Sequence, residues 1–284
     1  MILYRIHVRG FTKHASSKVK GKGTFLGIEE KIPYLKELGI NAIELMPCYE
    51  FDEIFPTEEP ETLAGGISGS QGMALSKFER TDAVYPKDYY KPKEEQEEND
   101  LFLAVTEEVS KADQRVNYWG YAKEAYYFAP KTAYAYDRKH PAEEFLHMVE
   151  ALHEAGIEVI MEMFFPAGCY QGFIAECLRF WHVTYQIDGF RLTNEEASTL
   201  QALKNPYLSD IKLLWAGFPE EEAKERFVTT KRKTLGEYNE HFMVTARKLL
   251  KGDEGMVPAF VDCFRRNPEY TVPVNYIANT KFLC

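Results

Sequence analysis

The stretch "HPAEEFLHMVEALHEAGIEVIMEMFF", residues 140–165, decides the fold of this chain. Its first part repeats apolar residues at helical spacing, so that Phe145, Met148, Val149 and Leu152 form one stripe. Pro141 suits the first helical turn, where a missing N–H costs nothing, and Gly156 ends the helix. The second part, "IEVIMEMFF", is almost continuously apolar. A strand buried on both faces has that composition, and such strands belong to parallel sheets covered by helices.

The same alternation extends outward. "ILYRIHV" (2–8) reads as a first strand, and "NAIELMP" (41–47) as a second. Between them Ile28, Ile32, Leu35 and Leu38 share a helical face that Gly39 ends. Downstream, a strand is expected over 186–192, a helix about 194–204 and a strand over 210–218. A helix about 236–250 and a late strand over 272–278 follow. Strands and helices alternate without hairpin signals, which predicts an α/β fold with a parallel sheet. At 284 residues a (β/α)8-type TIM barrel is the first expectation and a doubly wound open sheet the second. One domain over 1–284 is expected, with a long excursion over 50–117. That excursion is acidic and rich in Gly, Ser and Pro, with a short helix around "FLAVTEEVSKA" (101–112 region).

Composition narrows the function. The chain is 45% apolar and 14% aromatic, enough for a sizeable core. A net charge of −10 argues against non-specific binding to nucleic acid or an anionic membrane. No apolar run approaches the ~18 residues of a membrane span. The start shows no basic leader, and the five cysteines are scattered without C-x-x-C spacing. Free thiols in the cytoplasm are expected. Cys169, near the expected pocket, has no histidine nominated to activate it and is expected to be inert. The histidines show no metal spacing; His147 and His153 belong to a helix face or its edge.

Several segments in this order resemble the catalytic barrel of glycoside hydrolase family 13, nearest its debranching, isoamylase and pullulanase-like members. "LYRIHVRGFT" is similar to the family's first strand, and residues 23–53 to its first helix and second strand. "YWGY", "YFAP" and "AYA" are similar to the segment after that strand. "EFLHMVEALHEAGIEVIMEM" resembles the next helix and third strand, and "IDGFRL" the fourth. "LLKGDEG" (249–255) and "VNYIA" fit the later part. The resemblance implies retaining hydrolysis of α-glucosidic bonds by two carboxyl groups roughly 5 Å apart at strand ends.

Placed residue by residue, those acids are not where the resemblance puts them. In "YQIDGFRLTNEEA" (185–197) the nucleophile position holds Thr193. The general acid position at the fifth strand's exit holds Ala216, in "KLLWAGF". The third acid falls at Lys281 or, one residue earlier, at Thr280. Pro166 and Ala167 stand for an Asn-His pair. Arg191 is retained, Glu162 stands for an aspartate, and Tyr118 and Trp119 come from the aromatic segment. Glu195 and Glu196 suit a helix's first turn better than a relocated acid. Glu162 and Arg191 are expected on adjacent strands, with Glu162 as the arginine's counter-ion. Tyr118 and Trp119 are candidates to stack on a sugar ring, or core packing. The resemblance admits a calcium ion, for which no dense acidic ligand loop is found, and otherwise no cofactor is expected.

These readings lead to a catalytically degenerate family-13 domain that binds an α-glucan of the glycogen or starch kind. Two alternatives stay open: a debranching hydrolase using other residues, and a structural protein without sugar affinity. The chain stops after the apparent seventh strand, so an incomplete barrel with an edge open to self-association is expected.

Overall fold

In the computed structural model, residues 1–55, 115–122, 124–193, 204–215, 218, 220–230, 234–264 and 274–278 are described. The strands are β1 (Leu3–Ile6), β2 (Ala42–Leu45), β3 (Tyr49–Phe51), β4 (Ile54–Phe55), β5 (Arg115–Val116) and β6 (Ala125–Pro130). They continue with β7 (Glu158–Met163), β8 (Gly189–Leu192), β9 (Lys212–Leu214), β10 (Leu235–Asn239) and β11 (Val274–Ala278). The helices are α1 (Val8–Lys13), α2 (Phe25–Glu29), α3 (Ile32–Glu37) and α4 (Pro141–Glu154). After them come α5 (Gln171–Tyr185), α6 (Glu220–Thr230), α7 (Glu240–Lys251) and α8 (Met256–Phe264).

Seven strands form one parallel sheet in the order β1-β2-β7-β8-β9-β10-β11. Each new strand joins on the same side of the last, whereas a doubly wound sheet reverses its order partway. The second expectation is therefore excluded. The sheet is also curled. β2 and β10 are four strand spacings apart, about 19 Å in a flat sheet at ~4.8 Å per spacing. Yet the Tyr238 hydroxyl on β10 donates a hydrogen bond to Glu44 Oε2 on β2. Only a sheet rolled toward a barrel brings these side chains together.

The α4–β7 unit forms as its pattern requires. Pro141 opens α4, and Phe145, Met148, Val149 and Leu152 are all buried. Gly156, at φ +74°, reverses the chain while its N–H bonds the His153 carbonyl. Phe145 then packs edge-on against Trp181 (5.3 Å) and Tyr185 (5.1 Å) of α5. The Trp181 indole N–H donates to the Tyr127 carbonyl at 2.6 Å, satisfying its one buried polar atom. Gly189 opens β8 because the strands there nearly touch. A Cβ at that position would lie 2.6 Å from the Lys212 carbonyl oxygen.

Four expectations change. The first strand ends at Ile6, because His7 caps α1 by accepting from the Gly10 N–H. The helix expected to carry Ile28, Ile32, Leu35 and Leu38 is two helices with a turn around Lys31, which resets the phase of the stripe. Ile28 and Leu35 remain buried, but Leu38 is 47% exposed. Residues 235–239, expected to start a helix, form β10, and the helix begins at Glu240. Both ends of the acidic excursion are strands: β3 pairs with β6, and β4 with β5. The short helix about 101–112 and nearly all of the helix about 194–204 lie outside the described residues.

Candidate functional site

Strand alternation sends every second side chain into the sheet's concave side. A barrel interior is ordinarily filled by branched apolar residues. Here its layer includes Arg5 on β1, Glu44 on β2, Glu162 on β7, Arg191 on β8 and Tyr238 on β10. Glu44 and Glu162 are fully buried, and Arg191 is 8% exposed. Charges in such a place persist only if paired.

The pairing is nearly closed. Arg5 reaches both carboxylates, with Nε 3.1 Å from Glu44 Oε1 and Nη2 2.5 Å from Glu162 Oε2. Arg191 Nη1 donates to Glu44 Oε1 at 2.8 Å, and its guanidinium lies 4.4 Å from the Tyr238 ring centre. The Tyr121 hydroxyl donates to Glu162 Oε1 at 2.6 Å. Burial alone would raise the Glu162 carboxyl. The charges of Arg5 and Arg191 and the hydrogen bonds from Tyr121 and Arg5 outweigh it and hold the group below the usual carboxylate range. Glu162 is thus an ionised acceptor at neutral pH and has no proton to give. Burial, and then Glu162, push the Tyr121 phenol well up, so it stays a donor.

This corrects one expectation. Glu162 and Arg191 do face each other in register. The hydrogen-bonded counter-ion of Arg191 is nevertheless Glu44, two strands away, because side chains inside a curled sheet converge toward its axis. Arg5 and Tyr121 hold Glu162, and Arg191 acts on it only through its charge.

Above this layer, at the carboxyl ends of the strands, lies an aromatic cluster. Tyr118 stacks on His7, with ring centres 4.2 Å apart and planes at 15°. Trp119 meets His7 edge-on at 5.4 Å and Tyr118 at 4.9 Å. Both residues are half-buried, so one face of Tyr118 is already covered by the imidazole. The Gly10 N–H donates to His7 Nδ1 (2.9 Å), so the proton of the neutral ring sits on Nε2 and points at the Tyr118 carbonyl (2.8 Å). Burial lowers the His7 pKa to about 4, helped by the charges of Arg9 and Arg5 against that hydrogen bond. His7 is a neutral spacer at physiological pH.

Thr193 follows β8 directly. Its N–H and its hydroxyl both point to the Met163 carbonyl oxygen, at 3.3 and 3.5 Å. Among the described residues no base meets that hydroxyl. Ala216, Thr280, Lys281, Glu195 and Glu196 lie outside the described residues. Burial raises the Cys169 thiol, which keeps it in its unreactive protonated form. His147 bonds Glu29 and His153 bonds Asp188, both at 2.8 Å. Among the described residues no three metal-ligating side chains gather, and no helix is long and apolar enough to cross a membrane.

Arg5, Glu44, Tyr121, His7 and Tyr238 escaped the sequence reading. A signal existed for two of them. "LYRI" and "AIEL" each place one charge inside a short apolar strand, where only an interior partner makes it tolerable.

A curled parallel sheet in sequential order, with charged side chains across its interior, defines a protein of the TIM-barrel class. No family model matches the chain. It is 26% identical to isoamylase 1 of Arabidopsis thaliana over 94% of its length and 38% of that protein. To isoamylase SU1 of Zea mays it is 22% identical, over 95% of the chain and 38% of the relative. A pullulanase of Paenibacillus barengoltzii, solved with maltohexaose and α-cyclodextrin, superposes with a TM-score of 0.52 and 15% identity, over 86% of this chain and 40% of that one. A glycogen-degrading pneumococcal protein, SpuA, gives 0.53 and 18%, over 86% and 26%. The chain is a homologue of the isoamylases, debranching enzymes of glycoside hydrolase family 13, and shares the fold of the pullulanases. It spans 38% of the length of the first of these isoamylases.

Proposed function

We propose that this chain is an α-glucan-binding domain of the family-13 kind that no longer cleaves its ligand. The observation that carries this reading is the position of Thr193. Where the resemblance calls for a nucleophilic carboxylate at the exit of β8, a hydroxyl points instead at a backbone carbonyl. Supporting it, the interior carboxylate Glu162 is buried, ionised and bound by Arg5 and Tyr121, so it serves neither as an acid nor as an accessible nucleophile. Glucan affinity is proposed from relatives that degrade glycogen or were solved with maltooligosaccharides. Tyr118 and Trp119, half-buried at the strand ends, would supply aromatic surface for a sugar ring.

The test is electrophoresis of the purified protein through a native gel cast with glycogen, followed by iodine staining. Retardation relative to a glycogen-free gel, with no cleared zone, is expected. A cleared zone that co-migrates with independently prepared protein would establish hydrolysis and overturn the proposal.

A further inference from the structure

On the helix layer, a shallow groove of about 800 Å³ runs beside α5. Its floor includes Gly172 and Ala175, followed on the same helical stripe by Glu176 and Arg179. The stripe runs over eight residues, 172 to 179, about 10 Å of helix. Gly172 and Ala175 are small, so no bulky side chain rises from the floor there. Tyr170 and Tyr207 line the same groove and are 73% and 66% exposed. A groove carrying two largely exposed tyrosine rings is a place where something flat can lie.

The polar groups between them are paired with each other. Arg179 Nε and Nη2 both donate to Glu176 Oε2, at 3.0 and 2.7 Å. The Arg179 guanidinium also lies 5.8 Å from the Tyr207 ring centre. Glu176 Oε1 receives neither of those bonds, and a guanidinium has further N–H donors. The groove thus offers a carboxylate acceptor beside a guanidinium donor, next to an exposed aromatic ring. A sugar ring has the complementary form: vicinal hydroxyls that both give and take hydrogen bonds, and an apolar C–H face that covers an aromatic ring. A proline-rich peptide would use the aromatic walls but leave this ion pair without a partner.

We propose that the groove between α5 and the Asn205–Tyr207 turn is a second α-glucan-binding site, with Tyr170 and Tyr207 as stacking platforms and Glu176 and Arg179 as the hydroxyl-binding pair. It rests on the glucan reading proposed above and adds a second point of attachment to the same polymer. Two such sites on one chain would raise the avidity for a branched polymer far more than the affinity for a short oligosaccharide.

The experiment is affinity electrophoresis over a series of glycogen concentrations, comparing wild type, a Tyr170→Ala/Tyr207→Ala double variant and Trp119→Ala. Urea denaturation of each variant checks that it is folded. The double variant is expected to bind glycogen at least five-fold more weakly at an unchanged unfolding midpoint. Glu176→Gln is expected to weaken binding in the same direction. If wild type is retarded and the double variant equally so, the groove proposal fails while the glucan reading stands. If wild type itself migrates unretarded at every concentration, the glucan reading fails and the groove proposal with it.

Discussion

Glu44 forms an ion pair with Arg5 and accepts from Arg191 and Tyr238 with no exposure to solvent. Replacing it by glutamine removes the charge that two guanidinium groups share, and one of them is itself nearly buried. We expect Glu44→Gln to cost about 3–5 kcal/mol of stability, read as a lower urea midpoint. Glu176→Gln, at an exposed ion pair, should leave the midpoint within about 0.5 kcal/mol. His7 gives a pH signature. Its folded pKa of about 4 lies below its ordinary value of 6.5, so below pH 6.5 the unfolded chain takes up a proton that the folded chain refuses. Its contribution is complete above pH 6.5 and is lost as pH falls toward 4, by about 3 kcal/mol in all. Glu162 loses stability in the same direction at lower pH, because its folded pKa is also depressed. A His7→Gln variant separates the two: its stability should change less than wild type between pH 6.5 and pH 4.5.

At the scale of elements, Phe145 and Leu38 make a contrast. Phe145 on α4 is fully buried between Phe25, Trp181 and Tyr185, and Phe145→Ala should cost about 3–5 kcal/mol. Leu38 shared the apolar pattern in the sequence but lies past the end of α3 in solvent, and Leu38→Ala should be nearly neutral in the same urea titration. The difference also explains what could be read in advance. α4 and β7 were legible because period, proline and glycine all point one way. β10 was not: Gly236, Glu237 and Asn239 are poor strand formers, and what places the strand is its pairing with β9 and β11 on either side. α5 went unread although Ile174, Cys177, Leu178, Trp181 and Tyr185 form a buried helical stripe. In the candidate site, the neighbouring positions of Glu162 and Arg191 followed from consecutive strands. The actual partners did not, because the choice of Glu44 for Arg191 depends on how far the sheet curls, and local sequence does not encode that.

At the scale of the whole molecule, a glucan bound only by the folded state must stabilise it. Maltoheptaose at ten times its dissociation constant should raise the unfolding free energy by about 1.4 kcal/mol, seen as a higher urea midpoint, and glucose at the same concentration should not. The hydrogen bond between Glu44 and Tyr238 has a further consequence, for synthesis. Its two residues are 194 apart in the chain, and Arg5 and Glu162 are 157 apart. At roughly 5–20 residues per second, a ribosome would finish Tyr238 about 10–40 s after Glu44. For much of that interval Glu44 lacks Arg191 and Tyr238, and Arg5 lacks Glu162. Both must stay hydrated, so the inner layer is sealed late, and the emerging half-sheet depends on water, or on a chaperone, to keep its charged side from collapsing too soon.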